Sequence, residues 1–152
     1  MRAARLANPR KYHYFSGGFG NASAPIWADA IRLMRRLDVA RPLLRGDFFP
    51  LTTWTVDEHS WMAWQHLRAD GDEDPAGPVA LIQAFRRHSP VATQQYTLRG
   101  LLPATRYSVV AWDDDARAHA VTWTGAQLAS HGVAVTIAER PGAAMLLFYR
   151  LA

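Results

Sequence analysis

The residues best suited to chemistry are carboxylates, imidazoles and indoles, and each class is arranged in its own way. Carboxylates come in three short groups: Asp57-Glu58, Asp70 to Asp74, and Asp113-Asp114-Asp115. Retaining hydrolysis of a glycoside needs two carboxyl groups about 5 Å apart, one as nucleophile and one as acid. All three groups fall where turns are expected, and turns favour Asp because its side chain bonds nearby backbone. They read as solvated turn carboxylates, and no catalytic residue is assigned. Asp70-Gly71-Asp72-Glu73-Asp74 invites a calcium reading, but an EF-hand loop wants Gly sixth and Glu twelfth. Those positions hold Pro75 and Leu81, so the segment reads as an acidic hairpin loop.

The histidines are His13, His59, His66, His88, His119 and His131. No two have the i, i+4 spacing of a helical metal site, and with no cysteine in the chain they read as ordinary structural residues. No metal and no cofactor is implied. Sugar rings stack on flat aromatic faces, which makes Trp54, Trp64, Trp112 and Trp123 candidates for carbohydrate binding; the competing use of large aromatics is to fill a core or an interface. Trp61 and Trp64 stand three apart, so on one strand they face opposite sides. They do not share a platform built from that strand.

Positioning these groups falls to one helix and a series of strands. Residues 1 to 24 read as irregular, and Gly18-Phe19-Gly20 is not completed into a dinucleotide-binding fingerprint. Ser23 can cap a helix starting near Pro25. Trp27, Ala30, Ile31, Met34 and Leu37 form one apolar helical face, and Pro42 is expected to end the helix at or before Arg41. Gly46 and Asp47 turn the chain. Strand-like runs follow at Phe48–Thr55, Ser60–Arg68, Val79–Arg87, Gln94–Arg99, Arg106–Asp113, His119–Thr124, Val133–Ala138 and Ala143–Arg150. Pro50 removes a backbone donor and predicts an edge position for the first of them. Ser60–Arg68 and Ala143–Arg150 are apolar on both faces and predict central strands. A short helical turn is expected at Gly125–His131. Strands at intervals of about ten residues predict a mainly β fold: an eight-stranded antiparallel Greek-key-type sandwich preceded by one α-helix.

Composition agrees with a globular domain. The chain has 152 residues, 49% hydrophobic and 20% charged. No apolar run of about 18 residues is present, and no apolar signal core follows the first residues, so the expected location is cytoplasmic. Net charge is +4, yet the arginines are scattered apart from Arg35-Arg36 and Arg86-Arg87. A nucleic-acid footprint would be a basic stripe on a recognisable module. Neither nucleic acid nor membrane is expected as a partner.

Arg45-Gly46-Asp47-Phe48-Phe49-Pro50-Leu51-Thr52 resembles the stretch joining the catalytic barrel to the C-terminal domain in α-galactosidases of glycoside hydrolase family 36, the melibiase type. Similar segments continue in order: Trp61-Met62-Ala63-Trp64-Gln65, Gln83-Ala84-Phe85-Arg86-Arg87-His88-Ser89-Pro90, and Leu98-Arg99-Gly100-Leu101-Leu102-Pro103. Tyr107 then opens a strand, and Thr124-Gly125-Ala126-Gln127-Leu128 leads through Gly132 to Pro141-Gly142-Ala143. The resemblance covers residues 41 to 152 and implies a β-sandwich packed against a TIM barrel. In that family the catalytic carboxylates belong to the barrel, with the nucleophile in a Lys-Trp-Asp setting. The single lysine here, Lys11, precedes Tyr12 and His13, so no catalytic residue is carried over.

Two segments are therefore expected: residues 1–45, an irregular stretch plus helix corresponding to the end of a barrel, and residues 46–152, the sandwich. The expected role is a non-catalytic C-terminal domain that supports the barrel of an α-galactosidase-like glycoside hydrolase, with no enzymatic activity in this chain alone. The alternative is a stand-alone carbohydrate-binding module or interaction domain. Trp27, Ile31, Met34 and Leu37 are expected to be an interface, folded back on the sandwich, self-associated, or placed against a barrel.

Overall fold

The computed structural model describes residues 24–69, 74, 76–111 and 121–152. Helix α1 (Ala24–Leu44) leads into eight strands: β1 (Asp47–Pro50), β2 (Trp61–Leu67), β3 (Ala80–Arg86), β4 (Thr93–Tyr96), β5 (Arg106–Ala111), β6 (Val121–Thr124), β7 (Val133–Thr136) and β8 (Gly142–Arg150). A short helix α2 (Gly125–Ser130) lies between β6 and β7. Six strands form one sheet in the order β1-β2-β3-β8-β5-β6, and β4 pairs with β7 in a second. All pairings are antiparallel.

The strand positions follow from side-chain chemistry. Pro50 cannot donate to a ladder, and β1 lies at the sheet edge and stops there. The doubly apolar runs β2 and β8 are interior strands, as their composition predicts. Side chains alternating inward from β2, β3, β5 and β8 meet Tyr96 of β4 and Val133 and Val135 of β7 in a single core, closed by Leu98, Leu128 and Ile137. Buried apolar surface between the two sheets is what holds them face to face.

Several strands are shorter than their apolar runs. Beyond β4, the Leu98 N–H donates to Leu128 O of α2 at 3.0 Å rather than continuing the ladder. Past β7, the Ile137 N–H donates to Ala92 O at 2.9 Å. Helix α2 starts with a capping box: Thr124 Oγ1 accepts from the Gln127 N–H at 3.2 Å, and Gln127 Oε1 accepts from the Thr124 N–H at 2.8 Å. The buried Tyr107 hydroxyl, at the start of β5, accepts the Leu102 N–H at 3.0 Å and so ties the loop that enters the strand to the strand itself.

Two buried polar side chains bridge the layers. Gln65 imitates a backbone partner: its Nε2 donates to Arg99 O at 2.7 Å, and its Oε1 accepts the Arg99 N–H at 3.0 Å. Arg86 spreads its guanidinium over four carbonyls, donating to Ser89 O, Ile137 O, Ala138 O and Pro90 O.

Two expectations about α1 need correction. The helix does not end before Pro42; it runs to Leu44 with the proline inside its last turn. Proline removes one helical hydrogen bond there, but Ala40 and Leu43 on either side are buried against Leu81 and Leu147, which holds the turn in place. The fold-back of the Trp27 face is also not what forms. Trp27, Ile31, Met34 and Leu37 are 39%, 51%, 55% and 41% exposed. The sheet is met instead by the C-terminal end of the helix, through Ala40 and Leu43.

Candidate binding surfaces

The face of the large sheet that looks away from the core carries a row of rings. Phe48 of β1 pairs with His66 of β2, and Trp64 of β2 pairs with Gln83 of β3. The Phe48 and Trp64 rings lie 6.4 Å apart, Trp64 and Phe85 5.1 Å, and Phe48 meets His66 edge-on at 5.4 Å. Trp64 Nε1 donates to Gln83 Oε1 at 2.6 Å, so the polar end of this indole is satisfied within the sheet. Along β2 the core-facing set is Trp61, Ala63 and Gln65, and the opposite set is Met62, Trp64 and His66. Trp61 and Trp64 thus part to opposite faces, as their spacing requires.

Among the described residues, the other candidate indoles are not gathered around Trp64. Trp54 lies in the loop after β1 and is 80% exposed. Trp123 of β6 pairs with buried Tyr107 and is half-buried against the core. Trp112 lies outside the described residues. Among the described residues, Trp54, Trp64 and Trp123 occupy three separate environments, and no sugar platform unites them.

The loop that carries Trp54 is heavily tied down. Leu51 N–H donates to Ala63 O at 2.9 Å, and Thr52 Oγ1 accepts the Ala63 N–H at 3.1 Å. Arg87 donates to Ser60 O, Ser60 Oγ and Thr55 O. Asp57 Oδ1 accepts the His59 N–H at 2.9 Å, the use expected of a turn carboxylate. Val56 in the same loop is 76% exposed. A fixed loop with exposed apolar side chains presents them at little entropic cost to whatever binds.

Among the described residues, the other carboxylates do not converge. Asp74 accepts from the Ala76 and Gly77 N–H groups, both at 3.1 Å, and stands 3.7 Å from Arg68 Nη2. Asp70 to Glu73 and Asp113 to Asp115 lie outside the described residues. Among the described residues, no three His, Asp or Glu side chains gather to hold a metal ion. No helix among them is long and apolar enough to cross a membrane.

His66 is the titrating group on the ring-bearing face. Burial lowers its pKa from the ordinary 6.5, and its Nδ1 is buried without a hydrogen-bond partner. Below that ordinary value the unfolded chain binds a proton that the folded one resists. Stability should therefore be whole above pH 6.5 and fall as the pH drops through it, until the folded pKa is reached. Urea midpoints at pH 7.5 and 5.5 are expected to differ less in His66→Leu than in the parent protein; an identical difference in the two would sink this account.

The sequence pattern accounts for only part of the ring row. Phe48, Phe85 and His66 had no spacing signal of their own, because the register that aligns β1, β2 and β3 sets their proximity. Alternation along β2 gave the direction of Trp64, but pairing decides its neighbours.

No family model matches this sequence, and no curated protein matches it. One solved structure with a similar fold is described as the galactosidase domain of alpha-galactosidase-sucrose kinase. The chain shares its fold with part of that galactosidase domain. The TM-score is 0.65 at 20% identity, over 86% of this chain. The match takes in only 17% of the other chain, so this protein spans about a sixth of the length of that relative.

Proposed function

We propose that this chain is the non-catalytic C-terminal β-sandwich of an α-galactosidase-type glycoside hydrolase of family 36, and that it supports and covers one side of the TIM barrel. The observation that carries this reading is the proportion of the match: 86% of this chain corresponds to 17% of a galactosidase domain. The ordered segments from Arg45 to Ala143 point the same way. The partner is a catalytic barrel, and Trp27, Ile31, Met34 and Leu37 are the side chains that would meet it. The same exposed stripe gives the free domain a route to self-association.

The sandwich alone should not turn over an activated α-galactoside: among its described residues Asp57 and Asp74 accept turn N–H groups and Asp38 pairs with Arg41 along α1, whereas hydrolysis needs two carboxyl groups facing one another across a sugar-sized gap. Release of the leaving group above a buffer blank, persisting through repurification, would overturn the reading. The second reading, a carbohydrate-binding module, is favoured by Trp54 alone, since an indole at 80% exposure can stack on a sugar. Titrating galactose and raffinose-type sugars against tryptophan fluorescence separates the two. Saturable micromolar binding, lost in Trp54→Ala, selects the module, and a flat titration selects the support domain.

A further inference from the structure

We propose that His59 and His88 form a two-imidazole site for a divalent transition-metal ion of the copper, nickel or zinc type. They come from different segments: His59 from the turn before β2, His88 from the residues just after β3. Their ring centroids stand 6.3 Å apart with the planes at 53°. A metal–nitrogen bond of about 2.1 Å puts an ion about 3.2 Å from each ring centre, so rings sharing one ion stand roughly 4.5–6.4 Å apart. The observed separation is at the wide end of that span. His59 is 73% exposed at its side chain, so closing the gap takes only a rotation of an exposed ring.

The backbone beneath the rings is fixed. His88 N–H donates to Glu58 O at 2.7 Å, stitching the two segments together next to the pair. Arg87 holds the same turn through Ser60 O at 3.0 Å and Ser60 Oγ at 2.8 Å. The Ser60 hydroxyl in turn donates to Asp57 O at 2.8 Å. The ligands are thus offered from a preorganised frame, which lowers the entropic cost of chelation.

A carboxylate completes the arrangement. Asp57 Oδ1 lies 3.5 Å from His59 Nδ1. A carboxylate beside one ring nitrogen favours the tautomer with its proton there and leaves Nε2 with the free lone pair, the relation found behind many metal-bound histidines. Two imidazoles without a third gathered ligand make an open site, in which water fills the remaining positions. Nitrogen donors favour copper over nickel and zinc in the order set by the metals themselves. A bound ion would fasten the turn at residues 57–60 to the end of β3 and further stiffen the loop that presents Trp54.

The test is calorimetric titration of the whole chain with copper(II), buffered by glycine, then with zinc(II). One site of micromolar affinity is expected, tighter for copper. His59→Ala and His88→Ala should each weaken it at least about tenfold, while His131→Ala, whose exposed ring contacts Ser130 on α2, should leave it unchanged. Circular dichroism of the apo variants should match the parent, since His59 and His88 are exposed. Parent-like binding in both His59→Ala and His88→Ala, or no site tighter than millimolar, overturns the proposal.

Discussion

Arg86→Met is expected to lower the stability of the domain by about 3–5 kcal/mol, because it removes a buried donor and leaves several carbonyl acceptors unsatisfied at once. Arg86 is buried and donates to four main-chain carbonyls: Ser89 O at 2.9 Å, Pro90 O at 3.1 Å, Ile137 O at 2.6 Å and Ala138 O at 2.9 Å. It therefore gathers two chain segments far apart in sequence, one leaving β3 and the other leaving β7. Met keeps the length of the stem and supplies none of the bonds, leaving four acceptors without this donor. Arg86→Lys should recover little, since an ammonium on a flexible stem cannot fork to carbonyls on two segments. Urea melts should show a lower midpoint with an unchanged slope. A midpoint equal to the parent's would mean that water reaches these carbonyls, and that the bridge is dispensable.

Phe148→Ala should cost a comparable amount, about 3–5 kcal/mol, through a cavity rather than through lost hydrogen bonds. Phe148 is fully buried on an interior strand, and its cross-strand neighbours are Ala80 on β3 and Val109 on β5. Small residues on a paired sheet have little to move into the void, because the ladders on both sides fix their backbone. Val121→Ala makes the contrast. That side chain is 42% exposed on the edge strand β6 and should change stability by less than about 0.5 kcal/mol. Thermal melts of the two variants side by side test the pair, and similar losses in both would contradict this placement of the core.

The readable and unreadable parts of this fold divide along local and distant information. Val133, Val135 and Ile137 point inward from a plain alternation, and the pattern places them correctly in the core. Pro50 marks an edge through chemistry internal to one residue. The helix was different. Apolar spacing selected Trp27, Ile31, Met34 and Leu37, but the sheet covers Ala40 and Leu43, because the seam lies at the C-terminal turn that Pro42 was expected to abolish. Which helical face is buried depends on the surface it meets, and that surface, Leu81 and Leu147, comes from strands much later in the chain. Arg86 reads only as half of the Arg86-Arg87 pair among otherwise scattered arginines, because its four carbonyl partners exist only after the sheets have packed. His59 and His88 lie on segments brought together by the β2–β3 pairing, so spacing along the chain carried no sign of them.

Of the strands in the large sheet β8 comes last in sequence, yet it fills the slot between β3 and β5. Without it the large sheet is two unconnected pieces, β1-β2-β3 and β5-β6, each with a bare edge. As the chain leaves a ribosome, both edges stay open until residues 142–150 have been made. The lock of this sheet is the final part to arrive, so a nascent or truncated chain lacking those nine residues exposes two sticky ladders at once.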